Sequence, residues 1–162
     1  MKRLMPFASA ILAIDALLDS NVVIAMLVEA HEHHAPSLNL FAEDDQWQFA
    51  VAAHSFAEAY STLTRRTERA PFRFTPKEAI AALDSIRAVT ILVGLTPART
   101  YAAIRDYAQG GGIGARLYDR LIGEAAVAND IGQIVTWNVG HMRSQFTNID
   151  VMTPEQFARA RD

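Results

Sequence analysis

A chain of 162 residues that is 51% hydrophobic suits one compact domain, long enough to bury a full core without disulfide or metal staples. It has no cysteine, which excludes a disulfide framework and a thiolate metal site and makes a cytoplasmic location the expectation. The net charge of -3 excludes an overall basic field, so an anionic substrate must be held by local groups. Thirteen of the fifteen basic residues are Arg, which suits bidentate phosphate contacts but is equally the product of a skewed codon composition. No apolar run approaches the roughly 18 residues of a membrane span.

Residues 1–15 read as an N-terminal extension and residues 16–162 as a single domain. Ala16 to Asp19 is a predicted first strand, and Val22 to Glu29 a short apolar helix. The run His31-Glu32-His33-His34 interrupts it and reads as a solvated turn. Pro36 suits a first helical turn, and Ser37 to Glu43 continues as a helix ending at Asp44-Asp45. Trp47 to Ala52 is rich in aromatic and β-branched residues at strand length and is the second strand. Ser55 opens a helix to about Glu68, with Phe56, Tyr60 and Leu63 at helical spacing. After a loop from Pro71, Thr75-Pro76-Lys77-Glu78 starts another helix, with Thr as cap, Pro in the first turn and Glu three residues on.

Val89 to Val93 is predicted as a third, buried strand, and Pro97 to Tyr107 as a helix. Gln109 to Gly114, with three consecutive glycines, is the flexible loop of the chain. It lacks the Lys-Ser/Thr of a phosphate loop. Leu117 to Asn129 forms the next helix, Gln133 to Trp137 the fourth strand and Ile149 to Met152 a short fifth. A last helix begins at Thr153-Pro154-Glu155. Strands separated by helices require crossovers, so the expected fold is three-layer α/β/α around a mostly parallel sheet of four to five strands.

Four polar residues then fall on one edge of that sheet. Asp19 ends strand one, Glu58 lies in the first turn after strand two, Asp119 begins the helix after the glycine loop, and Asn138 follows strand four. Ligands of open α/β sheets collect at the carboxyl ends of strands. Three carboxylates with an amide oxygen make a hard, oxygen-rich set suited to Mg²⁺ or Mn²⁺. Without an ion they would repel one another and raise their own pKa values. Each residue also has an ordinary reading. Asp19 or Ser20 suits a helix cap, Glu58 a capping box with Ser55, Asp119 a helix N-terminus, and Asn138 a turn before Gly140. Ser20 and Thr136 are hydroxyls suited either to support of the site or to capping.

Leu17-Leu18-Asp19-Ser20-Asn21-Val22, Ser55-Phe56-Ala57-Glu58-Ala59-Tyr60, Leu117-Tyr118-Asp119-Arg120-Leu121-Ile122 and Ile134-Val135-Thr136-Trp137-Asn138-Val139 resemble, in order, the successive motifs of the PIN domain. In particular they resemble the VapC-like toxins of type II toxin–antitoxin systems. The resemblance runs from about Leu17 to the C-terminus. It implies a Mg²⁺- or Mn²⁺-dependent endoribonuclease, a homodimer, and inhibition by a small cognate antitoxin protein. Carried over by position, Asp19, Glu58 and Asp119 match the acidic residues of the pattern and are the expected catalytic and metal-binding set with Asn138. Asn138 departs from it, since many members place a fourth Asp there, and with it a second metal ion becomes less certain. Arg116, Arg120 and Arg143 flank the expected cleft as RNA phosphate contacts. His141 suits either a phosphate contact or a surface turn. A haloacid-dehalogenase-like phosphatase also starts from a strand-terminal Asp but wants a second Asp where Asn21 stands. The remaining rival is a catalytically inactive PIN-like domain that binds RNA or protein without metal.

Overall fold

The computed structural model describes residues 13–42, 47–68 and 71–160. Five strands, β1 (Ala16–Leu18), β2 (Phe49–Ala52), β3 (Ile91–Val93), β4 (Gln133–Val135) and β5 (Asp150–Met152), form one sheet in the order β3-β2-β1-β4-β5. Every pairing is parallel, with Leu17 opposite Ala50 on one side and Ile134 on the other. Between them run α1 (Ser20–Leu27), α2 (His34–Leu38), α3 (Ala53–Thr64), α4 (Pro76–Val89), α5 (Pro97–Gln109), α6 (Arg116–Ala128), α7 (Val139–Gln145) and α8 (Pro154–Arg159). The expected three-layer α/β/α arrangement is observed. Of the N-terminal extension, residues 1–12 lie outside the described residues. Asp15 continues the β1 ladder, its amide donating to the Gln48 carbonyl and its carboxylate accepting from the Gln48 amide, each at 2.8 Å.

The strands are short and apolar on both faces because helices cover both. Ala16, Leu18, Phe49, Val51 and Val135 face a core built with α1, α3, α4 and α8, including Val22, Val23, Leu63, Leu83 and Phe157. Their neighbours Leu17, Ala50, Ala52 and Ile134 face the opposite core, built with Ile122 and Ala125 of α6 and Met142 of α7. Period-two alternation thus assigns each strand residue to one layer.

Several expectations are corrected. The segment predicted as a buried third strand from Val89 belongs in part to α4, and the strand itself is an edge, with Ile91 and Leu92 exposed. An apolar run alone does not distinguish a central strand from an edge strand. The first helix starts at Ser20, earlier than Val22, directly behind Asp19. The helix expected over Ser37 to Glu43 is α2 followed by a single 3-10 turn, Asn39–Phe41, and its expected end at Asp44-Asp45 lies outside the described residues. Ser55 is not a cap: α3 begins at Ala53 without a side-chain cap, and Ser55 is buried inside it. The Thr75/Glu78 capping box forms as read.

The His-rich segment is packed. His33 stacks on Trp137 with ring centroids 3.8 Å apart, and His34 Nδ1 lies 2.9 Å from the Ala25 carbonyl. The Trp137 indole donates to Ser37 Oγ at 3.1 Å, so this segment buttresses the turn after β4. The glycine loop is likewise closed on itself. Tyr107 donates to the Ile113 carbonyl at 3.0 Å, and a Cβ at Gly112 would fall 2.5 Å from the Tyr107 ring.

Gly123 of α6 carries a tight contact of its own, since a Cβ there would lie 2.0 Å from the Phe146 ring. Gly123→Ala must push that ring out of the core and off the Arg120 guanidinium, which sits 5.4 Å from its centroid. Overpacking costs about 1–3 kcal/mol and the gain in helix propensity returns at most about 1. A melting temperature lowered by a few degrees is expected in a thermal denaturation scan. An unchanged or higher value would show that Phe146 yields at no cost.

Candidate active site

The chain winds β1, β2, β3 in one direction and returns to place β4 on the other side of β1. The carboxyl ends of β1 and β4 therefore border the crevice where the winding reverses, the usual ligand position in open α/β sheets. Asp19 follows β1, and Thr136, Trp137 and Asn138 follow β4. Glu58 projects from α3 and Asp119 from the first turn of α6. Asp19, Glu58, Asp119 and Asn138 line one cleft of about 310 Å³, together with Ser20, Asn21, Arg116 and His141.

Asp19 occupies the N-cap position of α1, but its side chain makes no cap bond and turns to β4. Its Oδ2 accepts from the Thr136 hydroxyl at 2.6 Å and from the Asn21 amide at 2.9 Å. The Thr136 hydroxyl accepts in turn from Asn21 Nδ2 at 3.1 Å and from the Asn138 backbone amide at 3.0 Å. Its one donor and two acceptor positions are all used. Asn21 Oδ1 accepts from the Trp137 amide at 3.1 Å. Asn21 is the residue that the sequence reading missed, having treated it only as a mismatch to a phosphatase motif.

Burial acts on all three carboxyls, and repulsion from neighbouring carboxyls acts on Asp19 and Glu58. Asp19, fully buried, is raised by desolvation and by Asp119, against the Thr136 bond. Glu58 is pushed up to about 7 by desolvation, then by Asp19. Asp119 is raised by desolvation, with His141 and Arg116 opposing. Glu58 Oε2 is also buried without a hydrogen-bond partner. A buried, unpartnered carboxylate oxygen beside two further carboxyls is chemically matched to a hard cation. Yet among the described residues no three His, Asp or Glu side chains converge closely enough to hold an ion as they stand.

The flanking basic residues divide. Arg116 lines the cleft and contacts His141 Nε2 at 3.5 Å. His141 lies in α7, so it is helical where a surface turn was one of its two readings. Arg120 pairs with Glu124 at 2.5 Å and lines the neighbouring cavity. Arg143 donates from Nε and its terminal nitrogen to the Val151 carbonyl at 3.1 and 2.8 Å, and ties α7 to β5 away from the cleft. Of the three expected flanking arginines, it is not among the residues that line this cleft.

Residues 16–139 match the PIN domain. The chain belongs to the PIN-domain family. A comparison with curated proteins finds no match. Among solved structures, the PIN fold of this chain is similar to VapC20 of Mycobacterium tuberculosis, a sarcin-ricin loop cleaving toxin, with TM-score 0.63 and 14% identity over 83% of this chain and 98% of that one. It is also similar to VapBC2 of Rickettsia felis bound to a promoter DNA fragment, with TM-score 0.57 and 16% identity over 85% and 97%. FitAcB of Neisseria gonorrhoeae superposes with TM-score 0.56 at 17% identity over 86% and 98%. At such identities these likenesses establish the fold. Within the described residues, no helix of this PIN domain is long and apolar enough to cross a membrane.

The carboxyl shifts make stability fall with pH. Where the folded pKa exceeds the unfolded one, the native state binds more protons between the two values, and stability is lost as pH rises through them. For Glu58 that window runs from 4.5 to about 7, and Asp19 and Asp119 act in the same direction. Solvent reaching half-exposed Glu58 limits the loss to on the order of 1 kcal/mol. Protein in chelator is expected to melt a few degrees lower at pH 7.5 than at pH 5, with Mg²⁺ or Mn²⁺ restoring more at pH 7.5. Glu58→Gln is expected to flatten this profile, and an unchanged slope in that variant would show that Glu58 does not carry it.

Proposed function

We propose that the protein is a metal-dependent endoribonuclease, the toxin of a toxin–antitoxin pair, which hydrolyses RNA phosphodiesters with Mg²⁺ or Mn²⁺. The observation that carries this reading is the meeting of Asp19, Glu58, Asp119 and Asn138 in one cleft at the reversal of the sheet. A bound divalent ion supplies a Lewis acid that makes water nucleophilic and neutralises charge developing on the phosphoryl group. Asp19 and Asp119 would hold the ion most directly, Glu58 would hold it or orient the attacking water, and Asn138 would complete the shell. Thr136 and Asn21 keep Asp19 in one orientation. Arg116 and His141 line the same cleft and would contact a substrate phosphate.

The likeness to VapBC2 and FitAcB supports an antitoxin protein as partner. A homodimer in the cytoplasm is part of the same proposal. A second reading is favoured by the lack of three convergent His, Asp or Glu side chains among the described residues: a PIN domain that binds RNA or protein without metal. Cleavage of total RNA by purified protein with Mg²⁺, with Mn²⁺ and with chelator separates the two, beside calorimetric titration of each ion. Metal-dependent cuts with a measurable heat of binding are expected. No cleavage and no heat would overturn the nuclease reading in favour of the binding-only one.

A further inference from the structure

Beside the catalytic cleft lies a second cavity of about 650 Å³, walled by the glycine-loop backbone, Asp106, Tyr107, Ile113, Arg116 and Arg120. Arg116 lines both cavities, so the two adjoin at this residue. Among the described residues Arg116 forms no ion pair, whereas Arg120 is committed to Glu124 and to the Phe146 ring. The floor is a built surface. The Tyr107 hydroxyl holds the Ile113 carbonyl, the Gly112 amide donates to the Tyr107 carbonyl at 2.8 Å, and Gly111 and Gly114 take φ of 77° and 68° that other residues rarely adopt. Ile113, 84% exposed, forms an apolar wall next to the Tyr107 ring.

We propose that this cavity is the subsite for the nucleotide adjoining the scissile phosphodiester of a single-stranded RNA, an inference that rests on the nuclease reading. A nucleotide offers an anionic phosphate, an apolar base face and polar edges. The lining of this cavity offers a partner for each: the Arg116 cation without an ion pair, the aromatic and aliphatic side chains of Tyr107 and Ile113, and the Asp106 carboxylate. Arg116 takes the phosphate between the two cavities. The base lies against Tyr107 and Ile113, a contact that tolerates any base because each has a π-face. Asp106 accepts from a base amino group or a ribose hydroxyl and repels a second phosphate, which limits the cavity to one nucleotide. A duplex keeps its bases paired and stacked, so only an unpaired strand can place a base there.

The test measures binding rather than cleavage, by fluorescence anisotropy of a labelled single-stranded oligoribonucleotide in chelator, with a duplex of the same length as control. Ile113→Ser, a surface change that leaves the fold intact, is expected to weaken single-strand binding about fivefold and leave the duplex and the salt dependence unchanged. Arg116→Ala is expected to weaken binding about tenfold and to reduce the slope of log affinity against log salt by about 0.7, the value for one phosphate contact on a single strand. Unchanged single-strand affinity in both variants would overturn the subsite even if the wild type cleaves RNA. Loss of affinity for an acidic peptide, with RNA binding intact, would make the cavity a protein-docking site and also overturn it. A wild type that binds in chelator as expected but never cleaves would retain the subsite and remove the nuclease reading.

Discussion

Asp19→Asn is expected to reduce metal-dependent RNA cleavage by a factor on the order of 10²–10³, the size of loss seen when one preorganised charge-stabilising group is removed. The replacement keeps the shape of the side chain and an oxygen for the Thr136 hydroxyl. What it removes is the negative charge at the most buried carboxyl of the cleft. The same removal relieves repulsion on Glu58, whose carboxyl Asp19 helps to raise. The variant in chelator at pH 7.5 is therefore expected to melt higher than wild type, and to gain less from Mg²⁺ or Mn²⁺. Lower activity together with higher stability marks a charge kept for chemistry rather than for folding. Wild-type cleavage in the variant would place the active centre elsewhere, and a lower melting temperature would show that the carboxylate is worth more to Thr136 and Asn21 than it costs by repulsion.

Thr136→Val is expected to cost about 2–4 kcal/mol in stability and to depress activity as well. Valine matches threonine in shape, so the change isolates the hydroxyl. That hydroxyl is fully buried and serves Asp19, Asn21 and the Asn138 amide at once. Its loss leaves buried donors and a carboxylate oxygen short of partners, and each orphaned buried group costs about 1–3 kcal/mol. Asn138 then loses the bond that holds its backbone over the cleft, so the activity loss is expected to appear in kcat more than in KM. Denaturant unfolding and steady-state cleavage measure the two effects. Thr136→Ser, which keeps the hydroxyl, is expected to recover most of both. A valine variant with wild-type stability would mean that the hydroxyl is replaceable by water.

The alternation of strands and helices, the doubly covered sheet and the four polar residues Asp19, Glu58, Asp119 and Asn138 are legible in the order of residues alone. These are local signals: apolar runs of strand length, helical spacing in α3 and α6, and caps such as Thr75 with Glu78, each formed among residues a few positions apart. What such signals do not contain is the order of strands. Ile91 and Leu92 read as buried because they are apolar, and only the place of β3 at the sheet edge exposes them. Ser55 reads as a cap until α3 is seen to begin two residues earlier. That Arg143 ties α7 to the Val151 carbonyl of β5 is likewise invisible in the sequence. The candidate site depends most on tertiary structure. Asp19 and Thr136 are 117 positions apart, and they share a hydrogen bond because β4 pairs with β1. Asn21 gains its role from the same pairing, as the side chain that ties the two strand ends together. The chemistry of a carboxylate is written in its residue type, but its burial, its partners and the charges that repel it are set by which strand ends the fold brings side by side.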